Sequence, residues 1–452
     1  MTNKFEKVYI ETKRASYVLL PSLGILVNSE LESEFDNSMP DVIDEEKLIE
    51  NLRKAPTDEY IEDQLSSIKS ITLNITDSCS FRCKYCAYSG NYELVRAHNN
   101  NSMDIETAKK IIEHLIRWIN NKKRKAKSKF VNISFYGGEP LLEYKLIKDI
   151  IKFTKERFNE PGNSNIFEPV FRLNTNGYHL NDEIVDFLVK NNLTLDVSLD
   201  GPKEEHDKFR LTRDGGNTWD IIWKNLKKIK IRYPDYYAEK VDYLVTLHPS
   251  HNFDKIDNFF IENSDYFDLK NVRAYFVNNR LLKESIKNKW FKNRKPQKSR
   301  LFLLNSSSRL DNKLILQKWY YRTKFSAMCF PVEAKLFVDS NGTFHICEKV
   351  KPHHHIGDSN KGIDFDAVRK IHLLWNEEII RNRCWECPAW SFCNVCLAQS
   401  EDRQGVKVDC TFKNQFIKTL TDYVSFKEEE EIRNIKDLNF EKYSVRDYLR
   451  QL

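Results

Sequence analysis

The chain has 452 residues, 72 of them basic and 66 acidic, for a formal net charge of +6. That length excludes a single small module and implies two or three domains, and so thin a charge excess gives no strong ground for a nucleic-acid partner. A mean hydropathy of −0.60, no long apolar run and an N-terminus, MTNKFEKVYIETK, without an apolar signal core argue against a membrane span and lead us to expect a cytoplasmic protein.

Residues 6–28 read as two or three short strands, and DEEKLIENLRKA (44–55) as an amphipathic helix. From 68 to about 280 strand-like and helix-like stretches alternate. SITLNIT (70–76) is strand-like, and TAKKIIEHLIRWINN (107–121) repeats apolar residues at helical spacing. The basic run NKKRKAKSK (121–129) reads as a solvated connector. Then come the strand VNISFY (131–136), a helix over 141–158, FRLNTNG (171–177), a helix over 181–192 and LTLDVSL (193–199). A helix near 217–231, the strand KVDYLVTL (240–247), a helix near 253–263 and the strand NVRAYFV (271–277) complete the series. Six strands, each but the last followed by a helix, predict a parallel α/β sheet, either open and doubly wound or a full or partial (β/α) barrel.

Four unusual turns follow the first four strands: CSFRCKYC, GGEP, TNG and SLDG. In such folds these turns collect on one rim, where sites are built. Ten cysteines in a chain without a secretory signal point to reduced thiols and metal ligation. Three of them, Cys79, Cys83 and Cys86, fall in the first turn, and the other seven lie between 329 and 410. Three thiolates complete neither a four-cysteine cluster nor a closed zinc site, so one metal position is left open. The loop between them is partly cationic through Arg82 and Lys84, which suits an anionic cluster. Gly137 and Gly138 allow close approach to the backbone, Glu139 supplies a carboxylate, and Pro140 suits the first turn of a helix. Asn176, Ser198, Asp200 and Arg210 add polar and charged groups, with Arg210 suited to a bidentate grip on a carboxylate. Ammonium and carboxylate partners together imply an amino-acid moiety. His206 and Asp207 read as part of a helix N-terminal turn.

CSFRCKYC followed by GGEP, TNG and SLDGPKEEHDKFR resembles the radical S-adenosylmethionine (SAM) superfamily over roughly residues 68–280. The resemblance implies a partial (β/α)6 TIM-type barrel in which Cys79, Cys83 and Cys86 hold a [4Fe-4S] cluster and SAM chelates the fourth iron. It places Tyr85 near the adenine and Gly137, Gly138 and Glu139 at the methionyl ammonium. Asn176, Ser198, Asp200 and Arg210 then line the ribose and carboxylate side. The implied chemistry is reduction of SAM to a 5′-deoxyadenosyl radical that abstracts a substrate hydrogen.

The second cysteine group reads Cys329, then Gly342 and Cys347, then Cys384, Cys387, Cys393 and Cys396, then Cys410. Only five residues separate its two Cys-x2-Cys pairs, short for a zinc ribbon. The arrangement resembles the SPASM extension of radical SAM enzymes, with a final Cys-x2-Cys in place of Cys-x3-Cys. The resemblance implies two auxiliary [4Fe-4S] clusters, three in all, with Cys384, Cys387, Cys393 and Cys410 on one and Cys329, Cys347 and Cys396 on the other. One iron is then left to a substrate thiolate or to a non-cysteine ligand. Glu348, beside Cys347, is a candidate catalytic proton acceptor by the same resemblance, and His353 to His355 read as a solvated loop.

The expected organisation is an N-terminal strand and helix segment (1–67), a radical SAM core (68–280), a bridge (281–325), a SPASM domain (326–413) and a C-terminal helical segment (414–452). Peptide-modifying relatives of this kind carry a leader-recognition module before the barrel, so an exposed strand edge in 1–67 is expected to take a precursor-peptide leader by β-augmentation. A flavodoxin or ferredoxin-type electron donor is the second implied partner. Thioether formation from a substrate cysteine is the leading expectation. Formylglycine formation as in anaerobic sulfatase maturases, carbon–carbon crosslinking and, in another class, a zinc-bearing nucleic-acid module are the alternatives.

Overall fold

The computed structural model describes residues 45–92, 96–120, 130–161, 168–277, 282–292, 335–349 and 352–387, with shorter pieces at 8–11, 16–20, 25–29, 163, 297, 299–302, 332, 401–402, 405–406, 418, 421 and 424–425. Cys329, Cys393, Cys396 and Cys410, the 121–129 connector, most of the 281–325 bridge and most of 414–452 lie outside the described residues.

The first elements are three antiparallel strands, β1 (Val8–Glu11), β2 (Ser16–Leu20) and β3 (Ile25–Asn28), in the order β1-β2-β3. Two helices follow, α1 (Glu45–Arg53) and α2 (Asp58–Ser66), the second capped by Thr57, whose hydroxyl accepts from Tyr60 N–H. Strand β4 (Ser70–Thr76) then starts the repeating unit: α3 (Ile105–Ile119), β5 (Phe130–Gly137), α4 (Tyr144–Phe158), β6 (Glu168–Thr175), α5 (Asp182–Lys190) and β7 (Thr194–Ser198). After a one-turn helix α6 (Lys203–His206) come α7 (Trp219–Arg232), α8 (Pro234–Lys240), β8 (Val241–Leu247), α9 (Phe253–Glu262), β9 (Val272–Phe276) and α10 (Glu284–Phe291). All six expected strands form, and β4 to β9 pair in parallel in sequence order.

Side-chain alternation divides this sheet into two faces. One row runs across five strands through Leu73, Phe135, Leu173, Leu195 and Val241, all fully buried in the core shared with the helices. The other face is polar. There Arg172 reaches Asp196 (2.7 Å) and Asp242, and Arg273 also reaches Asp242, so charges on four neighbouring strands neutralise one another. Helices α3, α5 and α9 start on side-chain caps, with Asp104, Asn181 and Asn252 accepting from Thr107, Ile184 and Lys255 N–H.

The sheet also extends on the β4 side. β10 (Lys335–Val338) pairs in parallel with β4, and β11 (Thr343–His345), β12 (His355–Asp358) and β13 (Gly362–Ile363) continue it antiparallel, giving the order β13-β12-β11-β10-β4-β5-β6-β7-β8-β9. Among the described residues β9 ends the sheet, so the barrel is partial. β12 includes His355, which therefore belongs to a strand and not to a loop. Helix α11 (Phe365–Arg381) then packs beside α1, where Asn376 Nδ2 donates to Leu52 O (2.7 Å). Among the described residues no helix is long and apolar enough to cross a membrane.

The GGEP turn is built by close backbone approach to the end of β4. Gly137 has φ +140°, and a Cβ there would lie 2.2 Å from Thr76 O; at Gly138 it would lie 2.1 Å from Ser78 O. Gly137→Ala is therefore expected to cost about 3 kcal/mol or more in urea unfolding. Gly215→Ala, at φ +88° but in open space, should cost only about 1–2 kcal/mol. Equal losses for the two variants would contradict this reading of the turn.

Candidate active site

The cysteine loop leaves β4 and is fixed from two sides. On one side it runs antiparallel to the chain after α6: Arg82 N–H donates to Leu211 O (2.8 Å), Lys84 N–H to Phe209 O (3.0 Å) and Arg213 N–H to Ser80 O (3.0 Å). On the other, Gly138 N–H donates to Thr76 O (2.7 Å) and Glu139 N–H to Ser78 O (2.9 Å). Cys79 is buried, and Cys83 and Cys86 are half-buried. Phe81 N–H donates to the Cys79 sulfur and Tyr88 N–H to the Cys86 sulfur, each at 3.4 Å. Burial pushes the Cys79 and Cys83 thiols up to about 12 and Cys86 up to about 11, so thiolates persist here only with a bound cation to hold them.

That donor set fits an iron–sulfur cluster. Three soft ligands share one short, largely dry loop, and main-chain N–H groups point at two of the sulfurs. Among the described residues, no three His, Cys, Asp or Glu side chains converge on a point that holds a single metal ion.

The other rim residues gather around the loop. Glu139 is fully buried, and its carboxylate accepts from Leu141 N–H (3.1 Å), Thr175 Oγ1–H (2.7 Å) and Asn176 N–H (2.8 Å). It thus ties the second turn to the third. Asn176 Oδ1 accepts from Tyr178 N–H (2.9 Å), while its Nδ2 lies 3.4 Å from Ser80 Oγ. Ser198 is half-buried at the end of β7.

Asp200 is the centre of a buried network. It accepts from Arg210 Nε (2.9 Å), from Thr246 N–H (2.8 Å) and from the Tyr85 hydroxyl, and the Arg210 guanidinium lies 5.4 Å from the Tyr85 ring centroid. Burial, the largest single influence, would raise the Asp200 carboxyl, but Arg210, the two nearby histidines and the Thr246 N–H together hold the group below its ordinary value. Among the described residues no protein acceptor meets the terminal nitrogens of Arg210. His206 is fully buried between Asp200 N–H, which donates to its Nδ1 (3.2 Å), and Thr218 Oγ1 at 3.1 Å from its Nε2; burial drops it to about 3, so it stays neutral. Asp207 caps α7, its Oδ1 accepting from Thr218 and Trp219 N–H.

Several residues at the rim escape the motif reading. His248 and His251 follow β8, at the fifth strand end, and His248 N–H donates to His251 Nδ1 (3.1 Å). Phe209 packs between them and Tyr85 with tilted or edge-on rings, and Trp290 of α10 meets His248 edge-on at 4.7 Å. Their signal was positional: HPSH follows a strand as the other turns do. His98 has no such signal, yet its Nε2 lies 3.7 Å from the Cys86 sulfur and its Nδ1 3.1 Å from Asp77 O.

Of the second cysteine group, Cys347, Cys384 and Cys387 are described, and Cys347 follows the β10–β11 hairpin. That hairpin is joined to the base of the cysteine loop, because Ser340 Oγ donates to Asp77 Oδ2 (3.1 Å). Glu348 accepts from Lys335 Nζ (2.7 Å); burial opposes its ionisation, but Lys335 holds it below its ordinary value.

Residues 73–260 match the model of the Radical SAM superfamily, so the chain carries a radical SAM domain on a partial barrel. It is similar to a cysteine-type anaerobic sulfatase-maturating enzyme of Clostridium novyi, 29% identical over 201 residues that cover 43% of this chain and 48% of that enzyme. A second relative, the radical SAM cyclopropyl synthase TigE of Paramaledivibacter caminithermalis, is 30% identical over 169 residues, 36% of this chain and 33% of the synthase. The chain thus spans half or less of the curated relatives it matches. Among solved structures, native anSMEcpe with bound AdoMet superimposes with a TM-score of 0.55 at 16% identity, covering 81% of this chain and all of that one, which shows a shared fold.

Burial pushes the Glu139 carboxyl up from an ordinary 4.5 to about 7. A raised carboxyl costs nothing while both states are protonated and its full penalty above the folded value, so this group's contribution falls as pH rises from about 4.5 to about 7. Urea melts across that range should show this loss in the native chain and not in Glu139→Gln. Identical pH slopes would contradict the assignment.

Proposed function

We propose that the chain is a cytoplasmic SAM-dependent radical enzyme that modifies a ribosomally made peptide, with thioether formation from a substrate cysteine as its reaction. The observation that carries the reading is the cysteine loop: one buried and two half-buried thiols on a strand-end turn, with polar and charged side chains on the neighbouring turns. When bound, the cluster and SAM supply a carbon-centred radical that abstracts a substrate hydrogen. Cys79, Cys83 and Cys86 hold the cluster. Arg210, fixed through its Nε by Asp200, offers its terminal nitrogens to the SAM carboxylate, and Tyr85, locked by the same Asp200, backs the adenine. Gly137 and Gly138 present main-chain oxygens to the ammonium. Glu139 acts by fixing the second and third turns, since its carboxylate is already engaged by three protein donors. Asn176 and Ser198 face the ribose.

For the second region we propose two auxiliary clusters on Cys329, Cys347, Cys384, Cys387, Cys393, Cys396 and Cys410. Glu348, kept ionised by Lys335, is then available beside Cys347 to take a proton from a substrate thiol. The β1–β3 sheet is antiparallel, in the order β1-β2-β3, an architecture that an extended leader strand is able to join. Native anSMEcpe with bound AdoMet and a Kp18Cys peptide (TM-score 0.56, 17% identity, 81% of this chain and 99% of that one) lends support to a peptide substrate.

Formylglycine formation is the second reading, favoured by the similarity to a cysteine-type sulfatase-maturating enzyme. Mass spectrometry of a co-expressed cysteine-containing substrate separates the two, because a thioether loses two hydrogens and keeps its sulfur, while formylglycine loses the sulfur. Mutating Cys79, Cys83 and Cys86 together to Ala should abolish 5′-deoxyadenosine formation and lower iron content by about one cluster. SAM cleavage that persists in that variant would overturn the proposal.

A further inference from the structure

Two segments that the sequence sets far apart meet at the entrance to the second cysteine group. Helix α1 lies on α11. Its apolar residues Leu48, Ile49 and Leu52 pack, half-buried, against the main core, to which α11 contributes Val368, Ile371, Trp375 and Ile379. Polar contacts hold the pair in place: besides the bond from Asn376 to Leu52 O, Arg53 faces Glu377 at 3.7 Å, and Arg369 Nε donates to Pro56 O (3.1 Å) just beyond α1.

Helix α11 runs directly into Cys384 and Cys387. It is capped by Asn382, and Arg383 then takes φ +46° and ψ 48°, the left-handed conformation. After a helix that position ordinarily belongs to glycine, because a side chain is disfavoured there. The same residue opens the cysteine turn: Glu386 N–H donates to Arg383 O (2.9 Å) and Cys387 N–H to Cys384 O (3.1 Å). The direction in which the chain leaves Arg383 thus sets where Cys384, buried, and Cys387, half-buried, stand.

The Arg383 side chain is gripped along two edges. Its Nη1 lies 2.7 Å from Glu45 Oε1 and its Nη2 donates to Glu45 Oε2 (3.0 Å), a bidentate fork. Its Nε and Nη2 also donate to Glu386 Oε1, at 2.8 and 2.6 Å. The guanidinium carbon lies 5.6 Å from the ring centroid of the buried Trp385. A single exposed ion pair would add little, but a fork on one edge, a second carboxylate on the next and a ring beside them fix the guanidinium in one orientation. One of these carboxylates belongs to the turn itself. The other is the first residue of α1.

We propose that α1 is a working part of the second metal region: Glu45 holds Arg383 in its left-handed turn, and the turn thereby presents Cys384 and Cys387 to iron. Arg383 is a positioning residue that acts through the backbone of the two cysteines. The inference rests on the auxiliary-cluster reading above. Groups one step behind a ligand set its direction and its hold on the metal, so a broken fork loosens iron before it loosens the fold.

The test uses as parent the full chain carrying Cys79→Ala, Cys83→Ala and Cys86→Ala, loaded with iron anaerobically, so that the iron bound belongs to the second region. Its readout is the rate of iron release to bathophenanthroline disulfonate, set beside the urea midpoint. Arg383→Gly removes the guanidinium but suits left-handed backbone, so release should quicken about fivefold or more while the urea midpoint does not fall. Glu45→Arg should quicken release by about fivefold as well, and Glu45→Gln, which serves where the reversal unseats α1, by about threefold. Glu46→Arg alters the charge of the same helix end at an exposed neighbour, and it should stay within about 1.5-fold of the parent. Release at the parent's rate from Arg383→Gly or from Glu45→Arg overturns the proposal. So does equal acceleration in Glu46→Arg, which would mean that helix-end charge and not the fork is at work. A urea midpoint that falls in step with iron loss across the variants also overturns it, as the mark of a general weakening of the fold. A parent chain that takes up no iron defeats the auxiliary-cluster reading itself, and the inference falls with it.

Discussion

The cysteine loop is held first of all by main-chain hydrogen bonds to two neighbouring segments. Its first residues are clamped between the GGEP turn and the 209–213 segment by main-chain donors and acceptors, at separations of 2.7–3.0 Å. The main chain thus sets where the three thiols sit, and their positions depend on two glycines that no larger residue replaces without moving the backbone. Preorganisation of this kind lets metal binding proceed without the cost of ordering a loop.

Two buried carboxylates extend that clamp around the rim. Glu139 gathers donors from the second and third turns, and Asp200, at the fourth strand end, gathers Tyr85 from the first turn, Thr246 from the fifth strand and Arg210 from the segment after α6. Both lie fully out of water, yet they differ in charge. Asp200 faces a guanidinium that holds it ionised, whereas Glu139 has only neutral donors and is pushed toward its protonated form. A fixed anion beside Arg210 orients the guanidinium without consuming its terminal nitrogens. The second cysteine region is coupled to the same rim, because β10 adds to the sheet beside β4 and Ser340 bonds Asp77.

Much of this arrangement was legible in the sequence. Six strands and their helices follow from apolar spacing, and the four turns are marked by Cys, Gly, Asn and Asp at strand ends. What escaped was set by tertiary contact. Nothing local tells Lys335–Val338, four residues of ordinary strand character, to pair in parallel with Ser70–Leu73 across more than 250 residues of chain. His98 lies in a polar loop whose composition is that of any connector, and its proximity to Cys86 comes from how that loop crosses the strand end. The sequence suggested that Gly137 and Gly138 admit a ligand; the structure shows that the group they admit first is the backbone of Thr76 and Ser78.

The central claim is that the loop carries an iron–sulfur cluster with one iron open to SAM. Electron paramagnetic resonance of the anaerobically loaded and reduced chain, recorded before and after SAM is added, tests it most directly. The account predicts a cluster signal whose g-values shift when SAM binds to the open iron. A chain that takes up no iron at this loop, or a signal indifferent to SAM, would contradict it.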